Sequence, residues 1–399
     1  MKAGWQTSTL GEVLAVLRNG VNCKQDKSGK GDKISRIESI SDASFDLEKV
    51  GYAELSERDK ERYRLQPGDI LFSHINSAVH VGKTAVFDST EPVYHGVNLL
   101  LMRPKEIVTS AYLEYELKFL FQSGYWRGLC KQSVNQASVN QQDISRVEIS
   151  YPKSLAEQQR IVGILDEAFD GIATAKANAE QNLQNARALF ESHLQSVFIR
   201  QPNEVPLAEL ASDITDGDHS PPPKAPTGIP FITISNIVKR TREVDFSNTF
   251  TVPPEYFRNL KPNKKPKVGD ILYTVTGATL GIPVLVREQR NFCFQRHIGL
   301  IRPKPDIDSM WLTYALLSPQ AFMQATAGST GAAQKTVSLS VLRGLKVPKV
   351  DFAEQTRIAV RLDSLSAETQ RLESLYQRKL AVLDELKKSL LHQAFSGAL

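Results

Sequence analysis

Apolar residues recur at alternating steps of three and four along two long stretches of this chain, residues 157–198 and 354–395. That rhythm keeps one face of an α-helix apolar and, sustained over many turns, marks the seam of a coiled coil. In the later stretch the seam reads Leu362, Leu365, Thr369, Leu372, Tyr376, Lys379, Leu383, Leu386 and Leu390. In the earlier one it reads Ile161, Leu165, Ala168, Ile172, Ala175 and Ala179, then, after a small phase shift, Leu183, Ala186, Phe190, Leu194 and Val197. A narrow apolar stripe on a polar cylinder is not stable alone in water. The alanine-rich face of the first helix would let the leucine-rich face of the second approach closely, so the two are expected to pair. The competing reading packs each helix only on its neighbouring globular block. At 1.5 Å per residue each rod is about 60 Å long.

The rods are copies of one another. At an offset of 197 residues Glu157 falls on Glu354, Arg160 on Arg357, Leu165 on Leu362, Asp166 on Asp363, Ser192 on Ser389 and Phe198 on Phe395. Upstream, the same offset sets Leu10 on Leu207, Asn19-Gly20 on Asp216-Gly217, and residues 34–40 on 231–237. The offset becomes 201 where Gly68-Asp69-Ile70-Leu71 meets Gly269-Asp270-Ile271-Leu272, 199 at Arg103-Pro104-Lys105 against Arg302-Pro303-Lys304, and 198 at Gln136 against Gln334. Insertions therefore lie between strands, and the halves share a scaffold while differing in their loops. Each half is expected to open with a short helix, turn at the X-Gly pair, and run an alternating strand through 34–40 or 231–237. Further helices are expected near 111–122 and 309–324, and Pro152 and Pro348 close the blocks just before the rods. The fold class is α+β, with boundaries at 1–152, 153–200 (the first rod), 201–349 and 350–399 (the second rod). Because the repeat nearly fills the chain twice, Trp5 is expected to pack near the C-terminal rod.

Composition narrows the picture a little. Of the 399 residues, 41% are hydrophobic and 23% charged, ordinary for a globular protein. No apolar run approaches the roughly 20 residues that span a bilayer, and Met1-Lys2-Ala3-Gly4-Trp5 lacks a signal-peptide core. Cys23, Cys130 and Cys293 are odd in number and widely separated, which fits a reducing cytoplasm. The net charge of +5 permits a polyanionic partner without demanding one.

Candidate chemistry points to binding rather than catalysis. The histidines show no metal-ligand spacing, no phosphate-cradling Gly-x-x-x-x-Gly-Lys loop is present, and Glu385-Leu386-Lys387 reads as a solvated helix face. Ser220-Pro221-Pro222 has the start of a methyltransferase loop, but Pro223 stands where an aromatic residue would stack on a base. By contrast Arg258, Lys261, Lys264, Lys265 and Lys267 crowd one turn where phosphates could be neutralised. A soluble basic loop is the plainer reading. Variable loops around 73–80, 132–136, 239–242 and 274–279 are where binding specificity is expected, and the amide- and hydroxyl-rich stretches 133–142 and 274–279 suit base edges, Asn and Gln adenine in particular. From position and chemistry the candidate DNA contacts are His74, Asn76, Lys83, Asn135, Gln136, Lys239, Arg240, Lys264, Lys265, Thr276 and Gln334. Two readers held by antiparallel rods would suit a bipartite duplex target whose halves recur about 34 Å apart.

The order of these signals, present twice, is specific where each alone is weak. A leucine-rich opening helix is followed by the Gly-Asp-Ile-Leu strand, the Arg-Pro-Lys strand end, a Gln-rich loop, a proline, and Glu-Gln-x-Arg-Ile leading a long helix. Over its whole length the chain resembles the specificity subunit of a type I restriction-modification system. The resemblance implies two tandem target-recognition domains separated by two long helices that pair as an antiparallel coiled coil, under a pseudo-twofold internal repeat. It implies double-stranded DNA as target, each domain reading one half of an asymmetric site, and partners in two methylation subunits and in restriction subunits. The chain itself would be non-catalytic and hold no cofactor or metal, with S-adenosylmethionine, ATP and Mg on the partners. The competing expectations are a coiled-coil protein scaffold and a stand-alone nuclease.

Overall fold

The computed structural model describes residues 4–40, 44–133, 136–199, 203–331, 335–396 and 398–399. They form two compact units, residues 1–178 with 379–399, and residues 179–378. The long helices Leu155–Ile199 and Phe352–Phe395 each contribute one part to each unit.

In the first unit Trp5–Thr9 pairs antiparallel with Glu148–Pro152, closing the block on itself. The short helix Leu10–Val13 follows, its start held by the Glu12 carboxylate accepting from the Thr9 N–H at 2.8 Å. Next comes an antiparallel sheet in the order Leu14–Asn19, Leu100–Pro104, Asp69–Phe72, Thr84–Phe87. Its central strands are apolar on both faces, so strand periodicity sends alternate residues to different cores. Ile70, Phe72, Leu100 and Met102 pack with the helix Ser110–Gln122, whereas Leu71, Leu101, Ala85 and Phe87 pack beneath Ile40, Val50 and Leu65. The second unit repeats this frame with strands Ala211–Asp216, Ile298–Pro303, Ile271–Thr274 and Pro283–Leu285. There Ile271, Tyr273 and Ile301 face one core while Leu272 and Leu300 face the other.

The repeated motifs turn out to be joints of this frame. Asp69 is buried and accepts from Arg103 Nε and Nη2 at 2.7 and 2.8 Å and from the Gln66 N–H at 2.7 Å. Asp270 does the same for Arg302, at 2.9 and 2.7 Å, and for the Lys267 N–H at 2.8 Å. The glutamine of Glu-Gln-x-Arg is buried in both copies. Gln158 donates to the Ile107 and Pro152 carbonyls and accepts from the Thr109 N–H. Gln355 donates to the Val350 carbonyl and accepts from the Asp308 N–H. Each therefore stitches the start of a long helix to the entry of an earlier one, Ser110–Gln122 in the first unit and Ser309–Leu317 in the second. At the X-Gly turns a side chain has no room: a Cβ on Gly20 would meet the His95 carbonyl oxygen at 2.2 Å, and one on Gly217 the Phe294 oxygen at 2.0 Å.

Within each unit the helices pair antiparallel, as the seam predicts, and they also pack on the globular block, so the reading in which each helix packs only on its block does not hold. In the first unit Ile161 and Leu165 share a core with Leu391, Ala394 and Phe395, and Lys176 Nζ meets Asp384 at 2.7 Å. In the second, Phe190, Leu194 and Phe198 share a core with Ile358, Ala359 and Leu362, and Arg187 reaches Glu373 at 3.2 and 3.3 Å. Trp5 packs against the core that holds Leu391 and Phe395, as the nearly circular repeat leads one to expect.

The first helix buries its expected seam, with Ile172 and Phe190 inside and Leu183 half-buried. The second helix corrects it. In its first half alternate positions lie one residue later than the leucines suggest: Ser366 and Glu373 are buried, whereas Leu365 and Leu372 are half-buried; further along, Leu383 and Leu390 are half-buried and Leu386 is 44% exposed. The inward polar groups are used, since Ser366 accepts from Arg242 and Glu373 from Arg187, while the exposed Lys387 lies over the Phe169 ring.

Two other expectations change. The alternation at 34–40 is a strand end, Asp32–Ile34, followed by a 3-10 turn, Ile37–Ile40, because the Ser39 hydroxyl accepts from the Arg36 N–H and donates to the Lys49 carbonyl. At 231–237 Asn236 does likewise, its side chain accepting from the Thr233 N–H. The helix expected at 309–324 is two, Ser309–Leu317 and Pro319–Ala327, because Pro319 cannot donate within a helix and Ser318 caps the second one.

Candidate nucleic-acid interface

In the first unit the fold brings two of the variable loops together. Ile75–Asn76 pairs with Gln136–Ser138, which pairs with Lys131–Ser133, and the Val139 N–H then donates to the His74 carbonyl. Asn140 caps the next turn of helix, Gln141–Ser145, accepting from the Asp143 N–H at 2.7 Å. Between these segments and the end of the strand Leu14–Asn19 lies an open cleft of about 490 Å³, lined by Asn19, His74, Ser138, Asn140, Gln141 and Gln142 with Ile75 and Val139. Among the described residues no charged side chain lines it. The Asn19 amide nitrogen lies 3.3 Å from His74 Nε2 and 3.5 Å from the Val97 carbonyl, while its oxygen accepts from Gln141 Nε2. Burial lowers the His74 pKa to about 4, so the ring is neutral near pH 7.

The candidates of this unit differ in accessibility. His74 is buried and acts on the cleft through Asn19. Asn76 is half-buried, bonded to Ser73 and to the Ser77 N–H, and Lys83 is half-buried at the edge of the sheet. Gln136 is exposed on the hairpin, and Asn135 lies outside the described residues.

In the second unit Thr276 is buried, its hydroxyl 2.8 Å from that of Thr336, so the loop after the Gly-Asp-Ile-Leu strand again meets the segment before the long helix. Gln334 lies outside the described residues. The X-Gly turn is built differently here. Asp216, in the place of Asn19, takes a 2.7 Å contact from His219 Nε2, and Asp218 accepts from the Tyr256 hydroxyl at 2.7 Å. Lys264 sits between them, donating to the Gly217 carbonyl at 2.9 Å with both carboxylates at 3.9 Å. Lys265 donates to the Arg258 carbonyl and lies over Phe257, while Arg258, Lys261 and Lys267 are exposed. Of the basic turn, part thus serves the fold and part faces solvent.

Lys239 and Arg240 are exposed, yet they flank the helices: Arg240 reaches Gln377 at 3.3 Å. Arg242, at φ 56° in the left-handed region, lays its guanidinium over Phe190 and donates to Ser366 at 2.6 Å. This turn anchors the block on the helix pair of its own unit. From sequence, Gln141 and Arg242 fall within candidate stretches without being named among the contacts, and Asn19 and Asp216 carry no functional expectation. One visible signal was the X-Gly turn itself, where like positions carry unlike side chains, Asn19 and Asp216. Among the described residues no three His, Cys, Asp or Glu side chains gather as a metal site requires.

Comparison with known proteins agrees with this duplicated frame. The family described as a type I restriction modification DNA specificity domain matches residues 2–185 and 218–380. The putative type I restriction enzyme MjaX specificity subunit of Methanocaldococcus jannaschii is 29% identical over 98% of this chain and 93% of its own length. The EcoBI specificity subunit of Escherichia coli is 32% identical, but over 43% of this chain and 36% of its own length. The HsdS subunit from Thermoanaerobacter tengcongensis superposes with a TM-score of 0.63 at 19% identity, covering 100% of this chain and 98% of that one, which shows a shared fold. With the match spanning both halves of the repeat, the chain belongs to the type I restriction modification DNA specificity family.

Proposed function

We propose that this chain is the DNA sequence-specificity subunit of a type I restriction-modification complex. Each recognition domain reads one half of an asymmetric bipartite site, and the paired helices set the gap and dock the methylation subunits. The observation that carries this reading is one frame built twice with unlike chemistry at the same turn. The Asp–Arg and Gln joints recur, while an amide cleft at Asn19 is replaced by a charged cluster at Asp216. Equal scaffolds with unequal reading edges suit two different half-sites. The chain performs no chemistry of its own in this proposal. Two methylation subunits bring S-adenosylmethionine, and restriction subunits bring ATP and Mg. Assembly takes place in the cytoplasm, and no described helix is long and apolar enough to cross a membrane.

The test is adenine-methylation mapping by single-molecule sequencing in cells carrying the chain with its methylation subunits, against cells lacking the chain. A motif of two unlike half-sites around a fixed gap, lost with the chain, is expected. Absence of any chain-dependent motif would favour a protein scaffold. Adding whole heptads to both helices should alter the gap and leave the half-sites alone.

Docking has its own prediction. On the second helix Val360 and Val382 are 65% exposed and Leu375 and Leu386 are 45% and 44% exposed, apolar surface that the helix pair does not cover. Replacing Val382 and Leu386 together by serine is expected to change the stability of the chain by less than about 1 kcal/mol, yet to reduce co-purification with the methylation subunits. Leu362→Ala, at a fully buried site, is expected to cost about 2–5 kcal/mol instead. Undiminished co-purification of the double serine variant would move the docking surface elsewhere.

A further inference from the structure

The hydrogen bonds around Asn19 have a polarity fixed from their buried end. The Val97 carbonyl can only accept, so the side of the Asn19 amide facing it is the nitrogen. The same nitrogen faces His74 Nε2, which must then accept, leaving the ring neutral with its proton on Nδ1. Asn19 Oδ1 is left as an acceptor, and Gln141 therefore turns its Nε2 toward it. One N–H of Gln141 is used in this way. Its second N–H and its carbonyl oxygen take no other hydrogen bond among the described residues, and Gln141 lines the open cleft.

That remaining pair is the one an adenine requires in the major groove, where N7 accepts and the N6 amino group donates. An amide free to flip presents the pair in either sense; one held by Asn19 presents it in a single sense. Asn19 ends a sheet strand and Gln141 begins a capped turn of helix, so the amide stands on regular elements rather than on a loose loop. The neighbouring Asn140 has both side-chain groups occupied by Asp143. The absence of charged lining among the described residues suits a base edge better than a phosphate. The equivalent turn of the other recognition domain carries a carboxylate held by a histidine, so the same location differs between domains that must read different sequences.

We propose that Gln141 is a specificity-determining residue of the first recognition domain, reading an adenine of its half-site, with Asn19 and His74 as positioning residues. This rests on the DNA-reading function proposed above and names the reader within it. The experiment uses the full chain assembled with its methylation subunits. Once the wild-type motif is mapped, binding is measured by competition with duplexes substituted at each base pair in turn. Gln141→Ala is expected to lose about ten- to a hundredfold of discrimination at one A·T pair of one half-site, with the other half-site unchanged. Asn19→Ala should relax the same pair, and the double variant should be no worse than Gln141→Ala alone, because the two act as a unit. Gln141 is half-exposed at a helix start, so its truncation should leave the thermal transition in place. Full discrimination retained at every pair, or affinity lost equally for all duplexes, would overturn the assignment. A wild-type complex with no sequence preference would instead remove the DNA reading, and this inference with it.

Discussion

Asp69→Ala is expected to destabilise the first unit by about 3 kcal/mol, and Asp270→Ala the second by a similar amount, the lower end of the range for breaking a buried ion pair. Each carboxylate takes three hydrogen bonds, two from an arginine and one from a backbone N–H at the turn before its strand. Removing it takes away the carboxylate that the guanidinium and the N–H share at the edge of a central strand, although Arg302 keeps its bond to the Lys265 carbonyl at 3.0 Å. The arginine side chains remain 26% and 21% exposed, so water can reach part of each guanidinium and the loss stays below the fully buried limit. Hydrogen exchange read unit by unit distinguishes this from general damage. Asp69→Ala should lower protection in Asp69–Phe72 and Leu100–Pro104 and spare Ile271–Thr274, and Asp270→Ala should do the reverse. A loss under about 1 kcal/mol in both would mean that water replaces the carboxylate and that the pair is no joint.

These joints show what was legible in the sequence and what was not. Gly-Asp-Ile-Leu, Arg-Pro-Lys and Glu-Gln-x-Arg stand out because they recur, and they were enough to align the halves. Nothing local says that Asp69 meets Arg103, or that Gln158 turns inward while its neighbours Glu157 and Arg160 pair with each other at the surface. The first half of the second helix was read one residue early at alternate seam positions for a related reason. Hydrophobicity selects Leu365 and Leu372, whereas the fold turns Ser366 and Glu373 inward because Arg242 and Arg187 arrive there to bond them. The cleft is the hardest case. Gln141 and Asn19 are 122 residues apart, and no periodicity links them until the sheet and the hairpin have formed.

Glu116→Gln is expected to stabilise the first unit, and to do so increasingly with pH. Glu116 is buried in the helix Ser110–Gln122, and burial raises its pKa from 4.5 to about 8. In this window the folded chain keeps a proton that the unfolded chain releases, so stability falls as pH rises from about 4.5 through 8. Glutamine carries no such proton and escapes the loss, a gain of about 4 kcal/mol at pH 8 and about 1 kcal/mol at pH 5. Two histidines of the same unit act in the opposite sense. Burial lowers His74 to about 4 and His95 to about 3, so below about 6.5 the unfolded chain takes up protons that the folded one refuses. Stability is then lost as pH falls from 6.5. The wild-type unit is thus limited on both sides, and Glu116→Gln should lift only the alkaline limit. Urea unfolding followed by hydrogen exchange in Ser110–Gln122, at pH 5, 6.5 and 8, measures both. A variant destabilised equally at all three values would show that the Glu116 carboxyl is ionised in the fold, with a partner that glutamine cannot satisfy.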